Sequence, residues 1–191
     1  MPTEPISRLH GVSIGEKIAK LSDFIASDLD GRTAHGLHTA GGCYLLVARS
    51  VDSPVAQALC VHAGRLSVSG IRVKVIFSEA DNAPLPAPFA LPSECRLARD
   101  PRLLAAHEQL VLSPTHAWTG DCMRRDPAKR DALERFAPNC AETAAMAARS
   151  FDKLWKAAVP FESLPRLSAA LASHVPEHTG AESLAELLRR Q

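Results

Sequence analysis

The segment from Cys43 to Phe77, CYLLVARSVDSPVAQALCVHAGRLSVSGIRVKVIF, decides the fold of this 191-residue chain. It opens with a nearly continuous apolar run, Cys43–Ala48, which is typical of a strand covered on both faces. Ser53-Pro54 then supplies an N-cap followed by proline at the first helical position, and apolar residues at helical spacing follow as far as Gly70. Residues 71–77 alternate and then become wholly apolar, which predicts a second strand. Because strand, helix and strand in this order form a parallel crossover unit, the segment predicts an α/β fold.

Upstream of this segment, apolar residues recur on one helix face at Ile14, Ile18, Leu21, Ile25 and Leu29. We expect Gly31 and Gly36 to end that helix and residues 1–13 to form a loose arm. Downstream, residues 80–92 contain four prolines, and this content predicts an extended loop.

The second half of the chain predicts strands followed by a helix. Residues 94–98 have the composition of a short strand, and residues 107–112 and 117–119 predict an antiparallel pair joined by a Ser-Pro-Thr-His turn. Asn139 with Glu142 predicts a capping box for the next helix. The apolar face of that helix is formed by Ala144, Ala147, Ala148, Phe151, Leu154, Trp155 and Ala158. We therefore expect one α/β domain over residues 14–158 and a helical extension over 159–191.

Composition excludes several classes of protein. The formal net charge is only +1, so no overall field attracts the chain to nucleic acid or to an anionic membrane. No apolar run approaches the roughly 20 residues of a membrane helix, and residues 1–5 lack the start of a secretory signal. The five widely spaced cysteines fit reduced thiols better than a disulfide framework, and we expect a cytoplasmic protein.

The candidate catalytic and ligand-binding residues lie in two segments: HEQLVLSPTHAWTGDCMRRDPAKRDALERF, His107–Phe136, and then SFDKLW, Ser150–Trp155. This region resembles the phospholipase D superfamily. That family's motif runs H-x-K-x4-D, then a G-S-x-N-like turn, a later acidic residue and an F-x-x-L-W-like helix. The resemblance covers roughly residues 14–158, and it implies a half-domain with a mixed sheet flanked by helices.

The resemblance also implies roles for individual residues. His107 matches the nucleophile that attacks phosphorus, and Glu134 matches the acid that orients it. Gln109 stands in place of the lysine that holds a phosphate oxygen, and Asp121 replaces the serine of the turn. Gly120 matches the turn glycine with a shift of one residue.

Two further positions depart from the family pattern: Pro114 stands at the acidic position, and Met123 falls near the asparagine. Replacing Lys by Gln leaves at best a neutral hydrogen bond, roughly half as strong as the charge-assisted one. Asp121 would repel phosphate, and together these losses cost on the order of a thousandfold in rate. This pattern predicts a site that has lost its activity, in which His107 is a partly buried strand residue.

A rival hypothesis keeps His107 catalytic and draws replacement cations from the loop MRRDPAKR. The basic residues of that loop are Arg124, Arg125, Lys129 and Arg130. We expect Arg124 and Arg125 to contact any phosphate-containing ligand, including nucleic acid. A solvated turn before a helix is the alternative reading of the same residues.

Other constellations are weaker. His35, His38 and Cys43 form an H-x2-H-x4-C string without a second ligand pair, so we expect no metal there and no cofactor. Cys122 could act as a thiol nucleophile near His107 or simply be a loop or buried cysteine.

Three functional hypotheses follow: a non-catalytic phospholipase D-like binding or structural module, a phosphodiesterase using His107, and a component of an assembly docked by residues 160–191. The resemblance implies a homodimer in which two histidines meet across a two-fold axis. An open sheet edge with surface to bury favours the same arrangement.

Overall fold

The computed structural model describes residues 13–34, 42–79, 85–90, 94–124 and 134–161. In chain order the helices are α1 (Ile14–Ala34), α2 (Pro54–Val61), α3 (Ala63–Val68) and α4 (Ala141–Ala157). The strands are β1 (Cys43–Ala48), β2 (Arg72–Phe77), β3 (Cys95–Leu97), β4 (His107–Ser113), β5 (His116–Cys122), β6 (Arg135–Ala137) and β7 (Val159–Pro160). They form one seven-stranded sheet in the order β6-β5-β4-β1-β2-β3-β7.

The parallel crossover predicted from the sequence is confirmed. β1 pairs with β2 in parallel from Cys43↔Arg72 to Ala48↔Phe77, and β2 continues in parallel to β3. The predicted hairpin is also confirmed, because β4 pairs antiparallel with β5. β4 runs antiparallel to β1, so the sheet is mixed.

Helices cover both faces of the sheet. The larger core joins Leu21 and Ile25 of α1 and Leu59 of α2 to one face, where Leu46 and Phe77 are fully buried. On the other face, the apolar stripe of α4 packs against the sheet in two smaller clusters, which include Val47, Ile76, Phe151 and Leu154 in one and Val111, Ala144 and Ala147 in the other. The predicted class, α/β with a mixed sheet flanked by helices, is therefore confirmed.

Two predicted helix boundaries are wrong for identifiable reasons. α1 continues through Gly31 to Ala34, since Arg32 in its last turn donates to Asp28 Oδ2 at 2.8 Å and to the Leu112 carbonyl at 2.6 Å. The single helix expected up to Gly70 is divided into α2 and α3 at His62. The ring nitrogen Nε2 of His62 lies 2.8 Å from Ser22 Oγ and 3.0 Å from the Ser22 carbonyl, which ties this break to α1.

The predicted capping box at α4 is also wrong. Cys140 is the N-cap of α4, and Asn139 has a left-handed φ of 55°. A capping box instead begins α1, where Ser13 N donates to Glu16 Oε2 at 2.7 Å and Glu16 N donates to Ser13 Oγ at 3.2 Å.

The ends of the described chain bear on the domain boundaries. β7 pairs with β3, so the sheet includes residues 159–160. The expected arm over 1–12 and the extension over 162–191 lie outside the described residues. Among the helices that are described, none combines the length and apolar character needed to cross a bilayer.

Candidate functional site

β4, the strand that begins with His107, starts at the side of the sheet where the parallel strands β1 and β2 have their carboxyl ends. β4 runs antiparallel to β1 with Val47 opposite Gln109, which places His107 near Arg49, the residue after β1. The carboxyl ends of parallel strands are the usual place for ligand sites in open α/β sheets. His107 therefore lies at the edge where a ligand site is expected on topological grounds.

The His107 side chain is exposed, so the prediction that it is partly buried is wrong, because the residue begins β4 at the end of the sheet. The side chain is held by a hydrogen bond to the main chain. Its Nδ1 lies 2.8 Å from the carbonyl oxygen of Gly120. Because a carbonyl oxygen can only accept, Nδ1 carries the proton, and Nε2 of the neutral ring keeps its lone pair. This tautomer suits a nucleophile or a general base.

Gln109 is enclosed rather than presented to solvent. It is 4% exposed, and its Nε2 donates to the Ala147 carbonyl of α4 at 3.2 Å. The amide therefore joins the sheet to the helix that covers it, and its donor is directed to the main chain.

Glu134 and His107 are not joined. Oε1 of Glu134 lies 3.8 Å from Lys17 Nζ of α1, and no hydrogen bond within the described residues connects Glu134 with the imidazole. The Gly120 carbonyl occupies the orienting position that the family resemblance assigns to an acid. A carbonyl can fix the ring, but it supplies no negative charge to stabilise an imidazolium.

Gly120 lies within β5 and not in a turn after it. A Cβ at this position would sit 2.4 Å from Cη2 and 2.6 Å from Cζ2 of Trp118. Trp118 is 3% exposed, and its buried Nε1 has no hydrogen-bond partner among the described residues. The glycine is therefore required by the packing of the indole.

Arg49 is a residue at this edge that sequence reasoning missed. Its Nε and Nη2 donate to the Met123 carbonyl at 3.1 and 2.6 Å, and Nε lies 4.0 Å from Glu79 Oε1. Its backbone N–H donates to Glu108 Oε1 at 2.9 Å. Arg49 thus ties together the ends of several strands. The signal in the sequence was a charged residue directly after a buried strand.

The remaining residues of the motif are spread over the edge and beyond it. Asp121 is half-buried in β5, and Arg124 is exposed with its Nη2 donating to the Pro101 carbonyl at 2.9 Å. Met123 is buried beneath α4, and Pro114 lies in the hairpin turn at the opposite end of β4. Arg125, Lys129 and Arg130 lie outside the described residues.

Cys122 pairs with His107 across the two strands, but its thiol is engaged elsewhere. Sγ lies 3.2 Å from the Leu104 carbonyl and 3.3 Å from the Ala105 carbonyl, both of which can only accept. The thiol proton is therefore directed away from the imidazole. Across the described ranges no group of three or more His, Cys, Asp or Glu residues is arranged to hold a metal ion. His35 and His38 fall in the part of the chain that is not described.

A cleft of about 500 Å³ opens at the other edge of the sheet. Its walls include Arg32, Gly42 and Cys43 near the start of β1, Ser113 and Pro114 at the hairpin turn, and small residues of α4. None of the motif residues at the His107 edge lines this cleft.

Comparison with known proteins gives likenesses to solved structures only. No protein-family model and no curated protein sequence matches the chain. NucT from Helicobacter pylori is 14% identical, and the similar region covers 78% of this chain and 92% of that chain with a TM-score of 0.47. TrmBL2, described as an archaeal chromatin protein with a novel mode of DNA binding, is 13% identical over 81% of this chain and 56% of its own, with a TM-score of 0.45. Both TM-scores lie below 0.5, so neither likeness assigns a function to this chain.

Proposed function

We propose that this chain is a phospholipase D-like unit whose phosphate site has become part of the scaffold, and that it serves as a non-catalytic binding or structural module. The observation that carries the proposal is the position of Gln109. At 4% exposure, with its amide donating to the Ala147 carbonyl, this side chain supports α4.

The electrostatics of the edge support the same conclusion. A neutral amide replaces a cation, and turning it toward a phosphate would break its bond to α4, at about 0.5–1.5 kcal/mol. Losing one preorganised donor to the transition state costs about 10²–10³ in rate. Arg49 is no simple substitute, because two of its guanidinium nitrogens donate to the Met123 carbonyl and Glu79 lies alongside.

The loss of the orienting acid weakens the site further. In the family pattern a carboxylate fixes the histidine and balances the positive charge that develops on it. Here the Gly120 carbonyl holds Nδ1, while Glu134 is directed to Lys17. The ring is oriented without a negative charge at its back, which weakens it as a nucleophile and as an acid for the leaving group.

A second candidate function is favoured by the geometry of His107 itself. The ring is exposed, and its anchored Nδ1 leaves Nε2 with the lone pair that attack on phosphorus requires. A homodimer that brings a second copy to this edge could supply the missing cations. This candidate is a phosphodiesterase acting on nucleic acid or a phospholipid-like diester.

Turnover distinguishes the two candidates. Hydrolysis of bis(p-nitrophenyl) phosphate is compared for the wild type, His107→Ala and His116→Ala, prepared identically. His116 lies on the same hairpin but at its opposite end, where its Nδ1 contacts Ser113 and Thr115. We expect the same background rate for all three proteins. Activity lost in His107→Ala and retained in His116→Ala would refute the non-catalytic proposal.

Light scattering on the same samples measures the oligomeric state. A dimer with no turnover fits a binding or structural module, and a dimer with His107-dependent turnover fits the phosphodiesterase.

A further inference from the structure

Three exposed arginines are brought to one place beside the motif strand. The segment from Arg99 to Ala106 packs against the residues that end β5. Met123 N donates to the Ala106 carbonyl and Arg124 N to the Leu104 carbonyl, both at 2.9 Å. The Arg124 guanidinium reaches the Pro101 carbonyl at 2.9 Å. Arg99, Arg102 and Arg124, all exposed, form what is called here the arginine rim.

Within the described residues, no carboxylate forms an ion pair with the arginine rim. The ion pairs of those residues involve other basic groups. The carboxylate within the segment, Asp100, accepts a hydrogen bond from the Arg102 backbone N–H at 2.9 Å and so caps its own loop. With Asp100 counted, the three arginines and one carboxylate carry a formal local charge of +2, whereas the whole chain carries only +1.

We infer that the arginine rim binds the phosphate backbone of nucleic acid without reading its sequence. Guanidinium groups match phosphate in bidentate geometry, and arginines without acidic partners need give up no ion pair to bind it. The inference rests on the proposed binding role and adds to it a ligand class and a set of residues outside the motif. The side chains from Arg99 to Arg102 include no aromatic ring on which a base could stack, so the contact is with the backbone.

The surroundings of the arginine rim favour nucleic acid over an anionic membrane. Peripheral membrane sites combine basic residues with apolar side chains that enter the interface. Only one large exposed apolar side chain of the described chain, Val159, is near the rim, since it pairs with Leu97, two residues before Arg99. The others lie elsewhere, at Ile14, Val61, Val68 and Met146. The rim therefore presents mainly charge, which is what a phosphate backbone contacts.

Salt dependence gives the inference a magnitude. Each phosphate neutralised contributes a slope of about −0.9 to the dependence of log K on log salt for duplex DNA. With one phosphate for each arginine the slope is about −2.7, which corresponds to a loss of roughly 40-fold in affinity between 50 and 200 mM salt.

The test measures fluorescence anisotropy of a labelled mixed-sequence DNA duplex with the full chain at low and high salt. The rim variant is Arg99→Gln, Arg102→Gln and Arg124→Gln together. The matched control is Arg149→Gln, Lys153→Gln and Lys156→Gln together, which removes the same charge from exposed positions of α4. Circular dichroism and thermal unfolding establish that both variants are folded.

We expect wild type and control to bind within about threefold of each other with the steep salt dependence, and the rim variant to lose at least tenfold in affinity at low salt. Equal weakening of both variants, or no binding by the wild type at low salt, would overturn the inference. Rim-dependent binding to phosphatidylserine vesicles without binding to the duplex would overturn it in favour of a membrane. Cleavage of the bound duplex that depends on His107 would refute the proposed non-catalytic role and leave the arginine rim as the binding site.

Discussion

Replacing Gly120 by alanine tests why the motif glycine is present. The added Cβ would lie 2.4 and 2.6 Å from ring atoms of Trp118, a side chain that is 3% exposed and has little room to move. Overpacking of this kind costs about 1–3 kcal/mol, and the loss of glycine's backbone freedom in the unfolded chain offsets about 0.5–1 kcal/mol. We expect Gly120→Ala to lose about 1–2 kcal/mol of unfolding free energy, or roughly 2–8 °C in Tm for a chain of this length.

The assay is urea denaturation of a double-mutant cycle with Trp118→Phe, with Tm measured alongside. Phenylalanine lacks the distal ring atoms that the new Cβ would meet, and it also removes the indole N–H that is buried without a partner. In that background Gly120→Ala should cost almost nothing, which gives a coupling energy of about 1–2 kcal/mol. Gly31→Ala is the matched control, because its added Cβ meets no described atom within 4 Å beyond its chain neighbours and the local helix backbone, and it should stabilise α1 slightly.

Two results would refute this reasoning. One is a Gly120→Ala protein as stable as the wild type, which would mean that the Trp118 ring moves aside freely. The other is an equal cost of the alanine with Trp118 and with phenylalanine at that position, which would place the cause outside the indole.

Two further predictions concern Gln109 and the thiols. Gln109→Lys introduces the lysine of the phospholipase D-type motif, but it buries an ammonium group in a 4% exposed site. It should therefore lower the unfolding free energy by about 2 kcal/mol or more and create no phosphodiester turnover. The Thr143 hydroxyl and backbone N–H hold the pKa of the Cys140 thiol below its ordinary value, whereas burial raises the pKa of Cys95 to about 12. Iodoacetamide at mildly alkaline pH should therefore modify Cys140 well before Cys95, and Thr143→Val should move the pH dependence of Cys140 alkylation upward.

Each of these two predictions has its own control. Ser27→Lys adds the same charge at an exposed position of α1 and should change stability by less than about 0.5 kcal/mol. A fully stable Gln109→Lys protein would show that position 109 reaches solvent. For the thiols, mass spectrometry identifies the alkylated residue, and equal modification of Cys95 and Cys140 would contradict the account of their environments.

The parallel core of the fold could be predicted because its patterns are local. Residues 43–48 and 71–77 carry continuous or alternating apolar runs, and the helix between them has its own start signal. β6 and β7 could not be found in this way. They have only three and two residues, and they exist because β5 and β3 offer unpaired edges.

The helix boundaries differ in how far local sequence determines them. Ser13 with Glu16 is a capping box that can be read in the sequence, and it begins α1. Asn139 with Glu142 has similar letters, but the left-handed backbone at Asn139 transfers the N-cap to Cys140. The division at His62 depends on contacts with Ser22, forty residues earlier in the chain, and no local pattern encodes it.

The candidate site was only partly readable. The sequence alone shows that position 109 carries no charge. It does not predict that the Gln109 amide donates to α4, because this bond depends on the packing of a helix more than thirty residues later in the chain. Likewise, the sequence offered Glu134 as the partner of His107, and the structure places the Gly120 carbonyl there. The sequence does not single out Arg99 and Arg102, because a loop between strands has no periodic pattern. They come close to Arg124 only because the segment 99–106 packs against the end of β5.

We propose that Gln109 belongs to the scaffold and does not contact phosphate. The most direct measurement is nuclear magnetic resonance of the Gln109 side-chain amide, assigned by comparison with Gln109→Leu, as inorganic phosphate or a dialkyl phosphate is added. We expect this amide to exchange slowly with solvent and its chemical shift to stay unchanged as the phosphate is added. This should hold even where the resonances of the His107 ring or of the arginine rim shift. A saturable shift of the Gln109 amide together with the His107 ring would contradict it, because both side chains would then be holding the phosphate.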